Sequence, residues 1–78
     1  MNSLQTYRQI ADGIAARIAN GDLPAGTLLP SYQQLAAAHG VSIATTQRAY
    51  ALLGFQGLVY GEPGQGVYVA DHAAAATA

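Results

Sequence analysis

The 78-residue chain contains no cysteine. Disulfide frameworks, thiolate zinc sites and cysteine nucleophiles are therefore excluded, and His39 and His72 alone cannot build a protein-only metal cage. Lysine is also absent. Only 9% of residues are charged, against roughly 25% in an average soluble chain. They are Arg8, Arg17, Arg48, Asp12, Asp22, Glu62 and Asp71, and they leave a formal net charge of −1. Such a balance exerts no global pull on nucleic acid or on an acidic membrane, so any polyanion must be held by local geometry. No basic region followed by an apolar stretch opens the sequence, and no apolar run approaches the roughly 20 residues that cross a bilayer. A soluble cytoplasmic protein of one domain is the expectation.

Hydrophobic residues make up 51% of the chain and must supply the core by packing alone. Over residues 6–19, Tyr7, Ile10, Ala11, Ile14, Ala15 and Ile18 recur at spacings of three and four, which predicts an amphipathic helix ended by Gly21. Its interior Gly13 costs up to about 1 kcal/mol relative to alanine, so the helix depends on tertiary packing. Pro24, Gly26 and Pro30 punctuate a loop whose Leu23, Leu28 and Leu29 read as anchors onto the core. Ser31 follows Pro30 and, with Gln34 three residues later, forms a capping box for a second helix of about two turns, closed by Gly40. Ser42 caps a third helix running to about Gln56. Two capped helices with a short connection between them are a helix-turn-helix signature.

The third helix has two faces. Thr46, Ala49, Tyr50 and Leu53 suit packing against the first two helices, whereas Ala44, Gln47, Arg48 and Ala51 fall on the other side. The outward set is small and polar, allowing close approach to a surface, and Gln47 can pair in a bidentate way with adenine N6 and N7. From Gly57 the period changes to two. Leu58-Val59-Tyr60 and Val67-Tyr68-Val69 flank a Gly- and Pro-containing turn, which predicts a hairpin. Gly61, Gly64 and Gly66 do not form a nucleotide cradle, because such a loop opens a helix and this one leads into a strand. The resulting class is mainly α with a small β-hairpin, a winged helix-turn-helix of three helices plus a two-stranded wing. It spans residues 1–70, with an Ala-rich tail over 71–78.

The ordered residues Ile10 through Ile18, Gly21, Pro24, Gly26, Leu29-Pro30-Ser31, Leu35-Ala36, Gly40-Val41-Ser42, Thr45, Ala49, Leu53, Gly57-Leu58-Val59 and Gly64-Gln65-Gly66 to Val69-Ala70 carry a resemblance. The chain resembles the N-terminal DNA-binding domain of GntR-type bacterial regulators over about residues 5 to 70, without a gap. The resemblance implies a sequence-specific transcriptional regulator, such as a repressor, acting on double-stranded DNA. It places DNA contacts at Ser31, Tyr32 and Gln33 of the second helix, at Ser42, Ile43, Ala44, Thr45, Gln47 and Arg48 of the third, and at Gln65 and Gly66 of the wing. The chain departs from the family where charge is concerned. The family usually carries arginine at the positions of Gln33, Ile43 and Gln47, and basic residues at Gly61, Glu62 and Gln65.

One or two arginines cannot neutralise several phosphates, so weak binding per monomer is expected, helped by a homodimer or a protein partner. What remains are neutral donors: hydroxyls, glutamine amides and backbone amides at the capped helix starts. A competing reading is a winged-helix module that binds protein, or an accessory factor that binds DNA only with a partner, motivated by the missing arginines and by Ile43, Phe55 and Tyr60. Ser31 and Ser42 are caps under either reading, and Ile43 can equally be half-buried against Val41 or the wing. His39, before a helix-ending glycine, suits a structural role. No carboxylate pair or nucleophile triad is spaced for catalysis, so no enzyme, cofactor or metal is expected. A chain this small is also expected to have little room for a ligand pocket of about 300 Å³, and no small-molecule effector site is readable. Met1 and the complete wing argue for a minimal regulator lacking an effector domain; the alternative is a domain cut from a longer chain.

Overall fold

A computed structural model describes residues 6–71, and the elements follow the expected order: α1 (Tyr7–Ala19), α2 (Tyr32–His39), α3 (Ile43–Phe55), β1 (Val59–Glu62) and β2 (Gly66–Val69). Residues 1–5 of the domain and all of the Ala-rich tail except Asp71, His72 included, lie outside the described residues. The start of α1 is fixed by a capping box that the periodicity alone does not reveal. Gln9 N donates to Thr6 Oγ1 at 3.1 Å, and Thr6 N donates to Gln9 Oε1 at 2.9 Å. Ile10, Ala11, Ile14 and Ile18 then face inward and pack chiefly on α3, through Ala49 and Leu53, in one hydrophobic core.

The same Ser/Thr-x-x-Gln device starts α2. Gln34 N donates to Ser31 Oγ at 3.1 Å, and Ser31 N to Gln34 Oε1 at 2.9 Å. Gly40 ends the helix in the left-handed region at φ 66°, a conformation that a Cβ would penalise. Ser42 caps α3, accepting from Thr45 N at 3.1 Å. Short, capped connections on both sides hold α2 and α3 at a fixed mutual angle, as a helix-turn-helix requires.

β1 and β2 pair antiparallel, with Val59 opposite Val69 and Glu62 opposite Gly66. Val59 and Val69 are buried at the base of this wing, which roots it in the core beside Leu58 and Leu53. The loop before α2 adds to it: Gly26 N donates to Val69 O at 2.8 Å, Val69 N to Thr27 O at 2.9 Å and Leu29 N to Val67 O at 2.8 Å. Of the three leucines expected to anchor that loop, Leu29 is buried and Leu23 half-buried, but Leu28 is 55% exposed. Its backbone bridges Tyr68, which alternation along an extended segment turns to the opposite side from Leu29. No helix among the described residues is long and apolar enough to cross a membrane.

Candidate nucleic-acid interface

Two hydroxyls on the buried face of α3 hold the start of α2. Tyr50 Oη donates to Pro30 O at 2.7 Å, and Thr46 Oγ1 donates to Ile43 O at 2.7 Å with a longer approach to Tyr32 O at 3.3 Å. The Tyr32 ring completes the junction, 5.6 Å from the Tyr50 ring and tilted by 43°. Burial pushes the Tyr50 hydroxyl up to about 12, and Tyr32 adds to the shift, so this donor stays protonated at any physiological pH. Sequence reasoning assigned Thr46 and Tyr50 to packing alone. The available signal was two hydroxyls on an otherwise apolar stripe, since buried polar groups need partners.

The outward residues are those the periodicity selects. Ala44, Gln47, Arg48 and Ala51 are exposed, as are Ser31, Tyr32, Gln33, Ser42 and Ile43, while Thr45 is half-buried. Ile43 is 43% exposed, which fits partial burial of its side chain and still leaves an apolar surface at the start of α3. Ser31 uses acceptor capacity in its cap and keeps an O–H to donate outward. Ser42 and Thr45 place their hydroxyl oxygens 3.0 Å apart, so one of their two protons is spent on that pair and the other can donate elsewhere. In the wing, Gln65 and Gly66 are exposed. Gly66 sits at φ 131°, a backbone conformation that favours glycine, and a Cβ there would lie 3.0 Å from the Leu28 Cδ1 methyl, whose exposed side chain would have to shift slightly.

Two adjoining grooves bring these elements together. The larger, about 550 Å³, runs between the start of α2 and the wing and is lined by Ser31, Tyr32, Glu62, Gln65 and Gly66 among others. The smaller, about 240 Å³, is lined by Tyr32, Gln47, Ala51, Tyr60 and Gly61. Tyr32, Gly61 and Val67 belong to both. The expected shortage of space for a 300 Å³ pocket is thus corrected: the hairpin stands off from α2, and the gap between them is an open trough. Glu62 is the one charged side chain lining it, where the resemblance leads one to expect a base. Ser42, Ile43, Ala44, Thr45 and Arg48 do not line either groove. Arg48 instead lies on the opposite edge of α3, beside Tyr7 of α1 and Leu52, in a shallow depression of about 380 Å³.

Among the described residues, no group of three or more His, Cys, Asp or Glu is placed to hold a metal ion. The arrangement offers donors and small side chains to an extended, shape-complementary partner. A family profile described as bacterial regulatory proteins, gntR family, matches residues 6–69. The chain is 37% identical over 70 residues to the uncharacterized HTH-type transcriptional regulator YdcR of Escherichia coli, covering 90% of this chain and 15% of that protein. It is 40% identical over 65 residues to the mannosyl-D-glycerate transport/metabolism system repressor MngR of the same organism, covering 83% of this chain and 27% of that one. The chain therefore spans about a seventh to a quarter of these curated relatives. Among solved structures, the AraR DNA-binding domain in complex with operator ORR3 superposes with a TM-score of 0.78 at 33% identity, covering 82% of this chain and 77% of that one.

Proposed function

The chain belongs to the gntR family of bacterial regulatory proteins, as a winged helix-turn-helix DNA-binding domain, and from that premise we propose how it reads an operator. α3 enters the major groove, with Gln47 on base edges and Arg48 on a phosphate. The start of α2, through Ser31, Tyr32 and Gln33, and the hydroxyls of Ser42 and Thr45 fix the domain on the backbone, Ile43 meets a thymine methyl and Ala44 allows close approach; Gln65 and Gly66 of the wing reach the neighbouring minor groove. The observation that carries this reading is the continuous trough shared by Tyr32, Gln47 and the wing, which sets three separate elements on one surface. Regulation of transcription in the cytoplasm follows, with no catalytic step assigned to the domain.

With Arg48 the only cation on α3, each copy grips weakly. A slope of about −0.9 in log affinity against log salt accompanies each neutralised phosphate. The test is enrichment of random duplex DNA by the purified protein, followed by titration of the selected site at two salt concentrations. A defined site with a slope of about −1 to −2 is the expected result. Absence of enrichment at low salt overturns it and favours the second reading, a protein-binding winged helix, which the exposed Ile43, Phe55 and Tyr60 support.

A further inference from the structure

Near its tip the wing pairs two residues that differ in every respect. Glu62 stands directly opposite Gly66 across the strands, at the separation of about 5 Å usual for opposed positions of an antiparallel pair. The turn between them is closed by Gln65 N, which donates to Glu62 O at 2.9 Å. Gly66 carries no side chain, so the group that accompanies it toward any ligand is the Glu62 carboxylate. Glu62 is exposed, and no Lys, Arg or His lines either groove. Arg48 lies in the separate depression at the other edge of α3. An unneutralised carboxylate therefore stands beside the very residue that the DNA-binding reading sends into the minor groove, where the partner is itself a polyanion.

We infer that Glu62 is a specificity-determining residue that makes the wing select a G·C pair, by accepting a hydrogen bond from the guanine 2-amino group beside Gly66. The inference rests on the DNA-binding reading above. A carboxylate only accepts hydrogen bonds. In the minor groove A·T and T·A pairs present acceptors alone, adenine N3 and thymine O2, whereas a G·C pair adds a single donor, the guanine amino group. Over G·C the carboxylate receives a charge-assisted bond. Over A·T it loses water and gains no partner, and the narrow groove of A·T tracts adds a more negative potential. Phosphates on either side offer it nothing but acceptors. The carboxylate thus weakens contact with DNA in general and weakens it least at one base pair, which is specificity obtained from a repulsive element. Gln47 reads through the major groove and Glu62 through the minor, so the two select different features of the site.

The experiment uses the selected DNA site with each guanine replaced in turn by inosine, which lacks the 2-amino group. Where a G·C pair proves sensitive, it is also exchanged for A·T and for diaminopurine·T, which restores an amino group to the minor groove. Each of these bases keeps the major-groove edge of its parent, so readout by Gln47 is undisturbed by the added or deleted amino group. Wild type is expected to lose about tenfold in affinity with inosine at one position and with A·T there, and to recover most of it with diaminopurine·T. Glu62→Gln, isosteric and at an exposed position, both donates and accepts, so it should bind all four duplexes within about threefold of one another. Wild type indifferent to every inosine, an inosine effect that Glu62→Gln leaves intact, or a Glu62→Gln gain equal on guanine and inosine duplexes, which is general repulsion only, overturns the inference alone. Failure of wild type to bind any duplex overturns both it and the DNA-binding reading.

Discussion

The inner and outer faces of α3 are made from residues of opposite kinds. Thr46, Ala49, Tyr50 and Leu53 are at most 3% exposed, and their atoms are committed to the core or to hydrogen bonds with the α2 start. Ala44, Gln47, Arg48, Ala51 and Phe55 are exposed and lie outside the buried core. Half a helical turn thus separates the residues that keep the domain folded from those that meet a partner. The inner face also transmits position: its hydroxyls fix where Ser31, Tyr32 and Gln33 stand relative to Gln47. Stability and recognition can then change independently, except at the two hydroxyls that serve both.

Three substitutions sharpen that contrast. Leu53→Ala, at a fully buried position, should cost about 2 to 5 kcal/mol in urea unfolding, enough to threaten folding of so small a domain. Tyr50→Phe keeps the ring and removes its bond to Pro30, for a loss of about 1 to 3 kcal/mol. It should also alter the alkaline limb of the stability curve. The folded Tyr50 holds its proton up to about 12, while an unfolded tyrosine releases it near 10, so in that window the folded state binds more protons and stability falls as pH rises. Below about pH 10 that contribution is complete. The wild type should lose stability between about pH 10 and 12, and Tyr50→Phe should lack this share of the loss; parallel curves would contradict the assignment. Gln47→Ala, on the outer face, should change stability by less than about 0.5 kcal/mol while costing about 1 to 3 kcal/mol of discrimination between selected and scrambled DNA. A large stability change there would break the division between the faces.

Much of this was legible because it is local. The Ser31–Gln34 box, the Ser42 cap and the Gly40 stop lie within a few residues of the structure they cause, and the four inward residues of α3 follow from its period. The Thr6–Gln9 box is written in the same code, but the apolar stripe of α1 does not by itself mark where the helix begins. What could not be read depends on contacts between distant segments. The hydroxyl of Tyr50 finds a carbonyl 20 residues away, and the trough between α2 and the wing exists only because two remote segments stand apart. Leu28 departs from the expected anchor for a related reason: in a loop without a period, composition does not say which of two adjacent leucines faces the core.

The bonds from residues 26–29 have an effect beyond the site. They occupy the edge of β2 that faces away from β1, so the wing behaves as a sheet whose second strand is central. Among the described residues, the outer edge of β1 is only four residues long and includes Gly61 and the Glu62 carboxylate. A short edge of that kind is a poor template for strand addition by another chain. The wing can therefore project from the core with little backbone left for another strand to pair with.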